Sequence, residues 1–248
     1  VHAGHGLGTA WVFLQPLLTV MIYLLIFGFV LGNKAAITQS FPGDFPSYVL
    51  VGLVPWLALQ AALTRTPNAL VGNANLVKQV VFPIETLPLA SACAALIPYV
   101  PAFVVVLFYK AVVGGLPLMV LLAPIPLACL VATAIGLGFA LASLTTFIRD
   151  IREMVTVACM IAMYLTPAVY MPDWMPEPLR PLLYANPFSY LIWQFQDAFF
   201  FGEIRHPAAW LISALVAVLS IGVGARLFNR LKPMYGNVLW HDRRSRRR

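Results

Sequence analysis

The chain has 248 residues, 61% of them apolar and only 10% charged, with a formal net charge of +7. A soluble domain carries about a quarter charged residues, so this composition excludes an ordinary soluble enzyme or binding module and places the chain in a membrane. The positive charge does not imply nucleic acid, because the basic residues fall in short connections and at the C-terminus, where a positive-inside bias puts them.

Residues 11–31 are uncharged and long enough for one spanning helix at roughly 20 residues per bilayer. They do not read as a signal peptide: there is no basic n-region, the apolar run is too long, and no small-residue cleavage site follows closely. A polar loop with Lys34, Pro42 and Asp44 leads to the second segment, 48–64. It is short, contains Pro55, where a kink is expected, and is closed by Arg65. Residues 68–88 then form a polar hairpin carrying Asn68, Asn73, Asn75, Lys78 and Glu85, with Pro83 and Pro88 bracketing its only acid. Its irregular backbone would lack hydrogen-bond partners in hydrocarbon, so it is expected to project from the membrane.

The third segment, 89–109, contains Pro98 and Pro101 and ends in a turn with Gly114 and Gly115. Residues 118–148 are the longest uncharged run and suit one long or tilted helix. Arg149, Asp150, Arg152 and Glu153 form a compact charged loop before the fifth segment, 154–171. Residues 172–206 are too polar and proline-broken to span in the ordinary way. Their inner part, 181–196, is uncharged and rich in Leu, Tyr, Phe and Trp. That pattern predicts a re-entrant or interfacial pair of short helices turning at Asn186-Pro187. The sixth segment, 208–225, ends at Arg226, Arg230 and Lys232.

The predicted architecture is therefore all-α: one transmembrane domain over 1–248 with six spanning helices. Six spans put both termini on one side, and the charges choose which. With the termini in the cytoplasm, the outer basic residues are only Lys34, Lys110, Arg180 and Arg205, and all others are inner. The hairpin at 68–88 and the loop at 149–153 are then cytoplasmic. The terminal RRSRRR reads as a solvated tail or as a contact for anionic lipid headgroups.

A phosphate loop needs Lys followed by Ser or Thr. Here Lys34, Lys78, Lys110 and Lys232 are followed by Ala35, Gln79, Ala111 and Pro233, so ATP is not expected to bind in that way. No zinc-protease or nucleophile-elbow motif and no paired cysteines occur. Cys93, Cys129 and Cys159 read as packing residues in apolar runs, and the four histidines receive no chemistry. No acid lies in the middle of a span, which argues against ion-coupled transport. Aromatic residues are abundant instead. They suit interfacial belts and lipid-facing packing, or a path on which sugar faces stack. Tyr48, Trp56, Tyr164 and Tyr170 are the preferred candidates for such a path.

Several stretches carry a resemblance. TTFIRDIREMVTVACMIAMYLTPAVYMP is similar to the FxRD…(S/T)P(I/V)xY pattern of ABC-2 type permeases that export polysaccharides. NANLVKQVVFPIETLPL resembles their N…LVKKVxFPxExLP segment, GTAWVFLQPLL their opening, FPSYVLVGLVPW the start of their second span, and YANPFSYLIWQFQDAFFFG the stretch before their last span. The five matches run in order through most of the chain. The family comprises the membrane subunits of O-antigen, capsule and teichoic-acid exporters. The resemblance implies a homodimer of six-helix subunits paired with two nucleotide-binding ATPase subunits, moving a lipid-linked glycan out of a bacterial inner membrane. ATP and Mg2+ would belong to the partner ATPase, with no cofactor in this chain and no nucleic-acid partner.

It also implies that the hairpin carries a coupling helix, with Asn73, Asn75, Lys78 and Glu85 at the matching positions. Arg149 and Asp150 match the family's RD pair, with a simple boundary salt bridge as the alternative. Pro187, Phe188 and Tyr190 would lie in short gate helices at the outer face. Gln196 stands where the family has Arg and is followed by Asp197, so no role transfers there. Family members carry an amphipathic interface helix before the first span. VHAGH stands in its place, so a truncated or altered start is expected. Two other functions remain open on the residues alone: an ABC-2 permease for a small drug or lipid, and a membrane assembly or scaffold protein without transport.

Overall fold

The structure is a computed structural model that describes residues 10–27, 44–77 and 83–245, side chains of Asn75, Val77 and 236–245 excepted. Every regular element among the described residues is helical. In chain order they are α1 (Ala10–Leu25), α2 (Phe45–Arg65), a one-turn α3 (Ala74–Val77), α4 (Thr86–Leu96), α5 (Val100–Val113), α6 (Pro124–Phe147), α7 (Ile151–Tyr164), α8 (Arg180–Ala185), α9 (Pro187–Gln196) and α10 (Pro207–Ser245). A 3-10 turn over Ile97–Tyr99 joins α4 to α5, another at Leu118–Leu122 precedes α6, and a π-helical turn over Asp197–Phe201 follows α9.

Prolines open several of these helices. Pro124, Pro187 and Pro207 stand at first helical positions, where the missing N–H has no intrahelical partner to lose. Gly202 ends the π turn at φ 72° and donates its N–H to the Asp197 carbonyl, a left-handed conformation that glycine adopts without strain.

Among the described residues, four stretches are long and apolar enough to cross a membrane: Phe45–Asn68, Thr86–Val113, Pro124–Phe147 and Pro207–Tyr235. α1 covers most of the described part of the first segment, and the fifth appears as the shorter helix α7. The broad run 118–148 resolves into a 3-10 turn and α6. The third segment is broken at Ile97–Tyr99, beside Pro98 and Pro101. α2 runs unbroken through Pro55 and ends at Arg65. The largest departure is α10. It does not stop near residue 225 but continues to Ser245, 39 residues in all. At 1.5 Å per residue that is about 58 Å, roughly twice a bilayer's hydrocarbon core.

Phe45–Asn68 is mostly buried within the chain, whereas only a minority of Thr86–Val113 and Pro207–Tyr235 is buried. Phe108, Val112, Leu118 and Leu211 are each at least 70% exposed. An apolar surface of this extent is incompatible with water and suits lipid or another protein.

The chain divides into two compact units. One comprises Val1–Ala58, Ile97–Leu127 and Met163–Ser213, the other Leu59–Leu96, Ala128–Ala162 and Ala214–Arg248. In the second, α6 and α10 meet backbone to backbone. A Cβ on Gly136 would strike the Ser220–Ile221 peptide, and one on Gly224 would strike the Gly136 carbonyl. Small residues at such crossings let membrane helices approach closely. In the first, Gly52 does the same for α2: a Cβ there would lie 3.0 Å from Ala168 Cα and 3.0 Å from Gln196 Nε2.

Candidate functional site

The hairpin begins with two 3-10 turns, Thr66–Asn68 and Val71–Asn73, and then α3. Asn73, which is exposed, closes the turn by donating Nδ2 to the Ala69 carbonyl at 2.9 Å. Asn75 lies on α3, and Lys78 lies outside the described residues. The hairpin does not float free. Ala69 and Leu70 are buried with Ala142 of α6 and with Phe228 and Tyr235 of α10, and Ile84, Leu87, Phe139 and Leu231 pack around them. The Phe228 ring meets Phe139 at 5.2 Å and Tyr235 at 5.4 Å between centroids. The fully buried Tyr235 hydroxyl donates to Ser143 Oγ at 2.8 Å, and Ser143 donates in turn to the Phe139 carbonyl at 2.6 Å.

Glu85 is committed inside the chain: its Oε1 accepts from Lys232 Nζ in an ion pair. Hydrogen bonding to the Lys232 ammonium holds its carboxyl below the usual carboxylate range. Both partners are about two-fifths exposed, so the pair alone adds little stability. It sits on the apolar contacts of Ile84, Leu87, Leu231 and Tyr235, which fix its geometry. Arg149 and Asp150 occupy the exposed turn before α7, where the Asp150 carbonyl accepts from Met154 N at 3.0 Å. Beyond them Arg152 and Glu153 pair at 2.9 Å.

In the other unit, α8 and α9 form the expected pair of short helices, hinged at Asn186-Pro187. Asn186 caps α9, its Oδ1 accepting from Phe188 N at 3.1 Å, while its Nδ2 donates to the Leu165 carbonyl at 2.9 Å. The Phe188 ring lies edge-on to Trp56 at 5.7 Å. The Tyr190 hydroxyl donates to the Tyr184 carbonyl at 2.8 Å, and its ring meets Trp193 at 5.2 Å.

The four aromatic path candidates separate. Tyr48 and Trp56 are each 1% exposed and have no ring face left for a sugar in this conformation. Tyr48 donates weakly toward the Pro167 and Tyr170 carbonyls, at 3.4 and 3.3 Å. Tyr164 is 68% exposed, and its carbonyl accepts from the half-buried Tyr170 hydroxyl at 2.7 Å.

Sequence reasoning missed a buried polar cluster next to these residues. Gln194, Gln196 and Asp197 are fully buried. Gln196 Nε2 donates to the Pro167 carbonyl at 2.7 Å, and Ser213 Oγ donates to Gln194 Oε1 at 2.7 Å. Asp197 takes three donors: His206 N at 3.0 Å, Trp210 Nε1 at 3.2 Å and, through its other oxygen, His206 Nδ1 at 2.9 Å. The His206 ring stacks on Trp193 at 5.2 Å with 10° between planes. This carboxylate thereby fastens the π turn to the start of α10, where a negative charge is also favoured by the helix dipole. The signal was present in WQFQDAFFF: polar side chains inside an aromatic helix must find partners when buried.

The family model for the ABC-2 type transporter matches residues 6–200. The chain belongs to the ABC-2 type transporter family. Curated relatives agree. An O-antigen export system permease protein RfbA of Klebsiella pneumoniae is 26% identical over 235 residues, 94% of this chain and 88% of the relative. A second Klebsiella RfbA is 26% identical over 94% of the chain and 87% of its own length. The RfbA of Myxococcus xanthus is 28% identical over 88% and 81%. This ABC-2 permease is thus a homologue of O-antigen export permeases and a multi-pass protein of the bacterial inner membrane. Members of the family are transport subunits.

Proposed function

We propose that this permease forms the channel through which a lipid-linked, O-antigen-like polysaccharide leaves the cytoplasmic leaflet, as a homodimer energised by two separate ATPase subunits. The observation that carries the reading is the similarity to export permeases across nearly the whole of both chains. In this reading the permease has six spans and cytoplasmic termini, and ATP and Mg2+ act in the partner. Residues 68–88 receive the ATPase's motion, with Asn73, Asn75 and Lys78 facing it and Arg149 and Asp150 at the neighbouring boundary. α8 and α9, with Pro187, Phe188 and Tyr190, form the outer gate. Tyr164 is the path candidate best able to meet a sugar, with the half-buried Tyr170 hydrogen-bonded to it, while Tyr48 and Trp56 are buried in this conformation.

Charge reversal at the hairpin tests this reading. Lys78→Glu is expected to cut glycan export and the permease's stimulation of its ATPase together, by about tenfold or more, with the protein still in the membrane. Survival of both activities would remove the coupling role and favour a scaffold without transport. Export of a small amphiphile instead of glycan would favour a drug or lipid permease.

A further inference from the structure

Glu85, at one of the hairpin's candidate coupling positions, pairs with Lys232 of the permease's own last helix. The residues on either side of this pair, Ile84 and Leu87 on one strand of chain and Leu231 and Tyr235 on the other, share one apolar cluster. Tyr235 adds a second polar tie, to Ser143 near the end of α6. The bond is fully buried, and the Phe228 carbonyl at 3.2 Å is the other acceptor within reach of the same hydroxyl. Three segments distant in sequence are therefore joined at one place: the hairpin's exit, the C-terminal end of α6 and the C-terminal half of α10. α10 needs no more than about half its length to cross a bilayer, so the extra turns require another role.

We propose that Glu85–Lys232 and Tyr235–Ser143 form a clasp that makes the hairpin's exit, the end of α6 and the C-terminal half of α10 move as one body during the transport cycle. The proposal rests on the reading of 68–88 as the ATPase's point of attack and adds where the push goes next. Lys232 and Glu85 are positioning residues. They convert displacement of a loop into displacement of two long helices, which the apolar contacts alone would transmit less stiffly.

Two experiments test the clasp in the full complex of permease and ATPase. In the first, Glu85→Lys and Lys232→Glu are made singly and together. Each single reversal is expected to lower export per ATP hydrolysed by about tenfold while the permease still copurifies with its ATPase. The double reversal should restore the ratio to within about twofold, because the pair is re-formed with its charges exchanged. If a reversal lowers protein level, Glu85→Gln and Lys232→Gln serve in its place, and a smaller loss of export per ATP, of about threefold, is expected. An unchanged ratio in the single variants, or a double variant as poor as either single, overturns the proposal.

The second experiment does not depend on the ATPase for its first readout. Glu85→Cys with Lys232→Cys, in a background with the three native cysteines replaced, is bridged in membranes by a short bis-thiosulfonate linker. High bridging yield and retained export are expected, because a clasp that moves as one body tolerates being locked. Poor bridging, or export lost on bridging and recovered on reduction, shows a pair that is open or must open, and contradicts it. If the unaltered permease fails to assemble with or stimulate the ATPase, the proposed function fails, and bridging yield alone decides whether the clasp exists.

Discussion

Asp197 and Glu85 are both carboxylates paired with a base, and they stand in opposite surroundings. Asp197 has no exposure and three donors, one of them a backbone N–H. Glu85 is 39% exposed and has one side-chain partner. A fully desolvated carboxylate needs all its hydrogen bonds, and removing it leaves several donors stranded. A half-exposed one can exchange its partner for water at small cost. The first arrangement builds an anchor and the second a contact that can exchange its partner, so the same pairing chemistry gives a fixed joint in one unit and an adjustable one in the other.

The contrast breaks first at Asp197. Asp197→Ala strands His206 N, the His206 ring and Trp210 Nε1, and is expected to cost about 3 kcal/mol or more, at about 1–3 kcal/mol per buried group left unpaired. Thermal unfolding in detergent, or the amount of permease retained in the membrane, reads this directly. A variant as stable as the parent would show that the buried site is not an anchor.

Gln196→Leu is the next largest change. It removes the donor to the Pro167 carbonyl while filling similar volume, with an expected loss of about 1–2 kcal/mol. The effect should be local, exposing the turn after α7 to protease before the rest of the chain.

The smallest stability effect belongs to Glu85→Gln, under about 1 kcal/mol given the exposure of the pair. Its signature lies in pH. The folded carboxyl titrates below its unfolded value of about 4.3, so its contribution is complete above that value and is lost as pH falls through the lower folded value. The difference in unfolding temperature between parent and Glu85→Gln is expected to be constant from neutral pH down to about 5 and to shrink as the pH falls further. A difference that instead changed around neutral pH would assign the titration to another group.

What the sequence made legible follows the same divide. Helix content, the Asn186-Pro187 hinge and the end of α2 at Arg65 were readable because local signals determine them: apolar length, proline and a cap. The reach of α10 to Ser245 was not, because Arg226, Arg230 and Lys232 resemble the end of a span and Pro233 a helix stop, yet the helix runs through all four. The partners of Glu85 and Asp197 were hidden for a different reason. Lys232 lies 147 positions from Glu85, and only the folded chain brings them together. His206 and Trp210 are near Asp197 in sequence, yet nothing in a lone acid says which donors will surround it. Burial also separated aromatic residues that look alike in sequence, placing Tyr48 and Trp56 inside and Tyr164 at the surface.

In the proposed function this permease provides the path for a glycan and a different chain provides the energy. The most direct measurement reconstitutes the permease in vesicles with and without its nucleotide-binding subunit and follows a labelled lipid-linked glycan across the bilayer. The expected result is ATP-dependent translocation only when both subunits are present, with no ATP hydrolysis by the permease alone. Hydrolysis by the isolated permease, or no translocation with both subunits and ATP present, would contradict it.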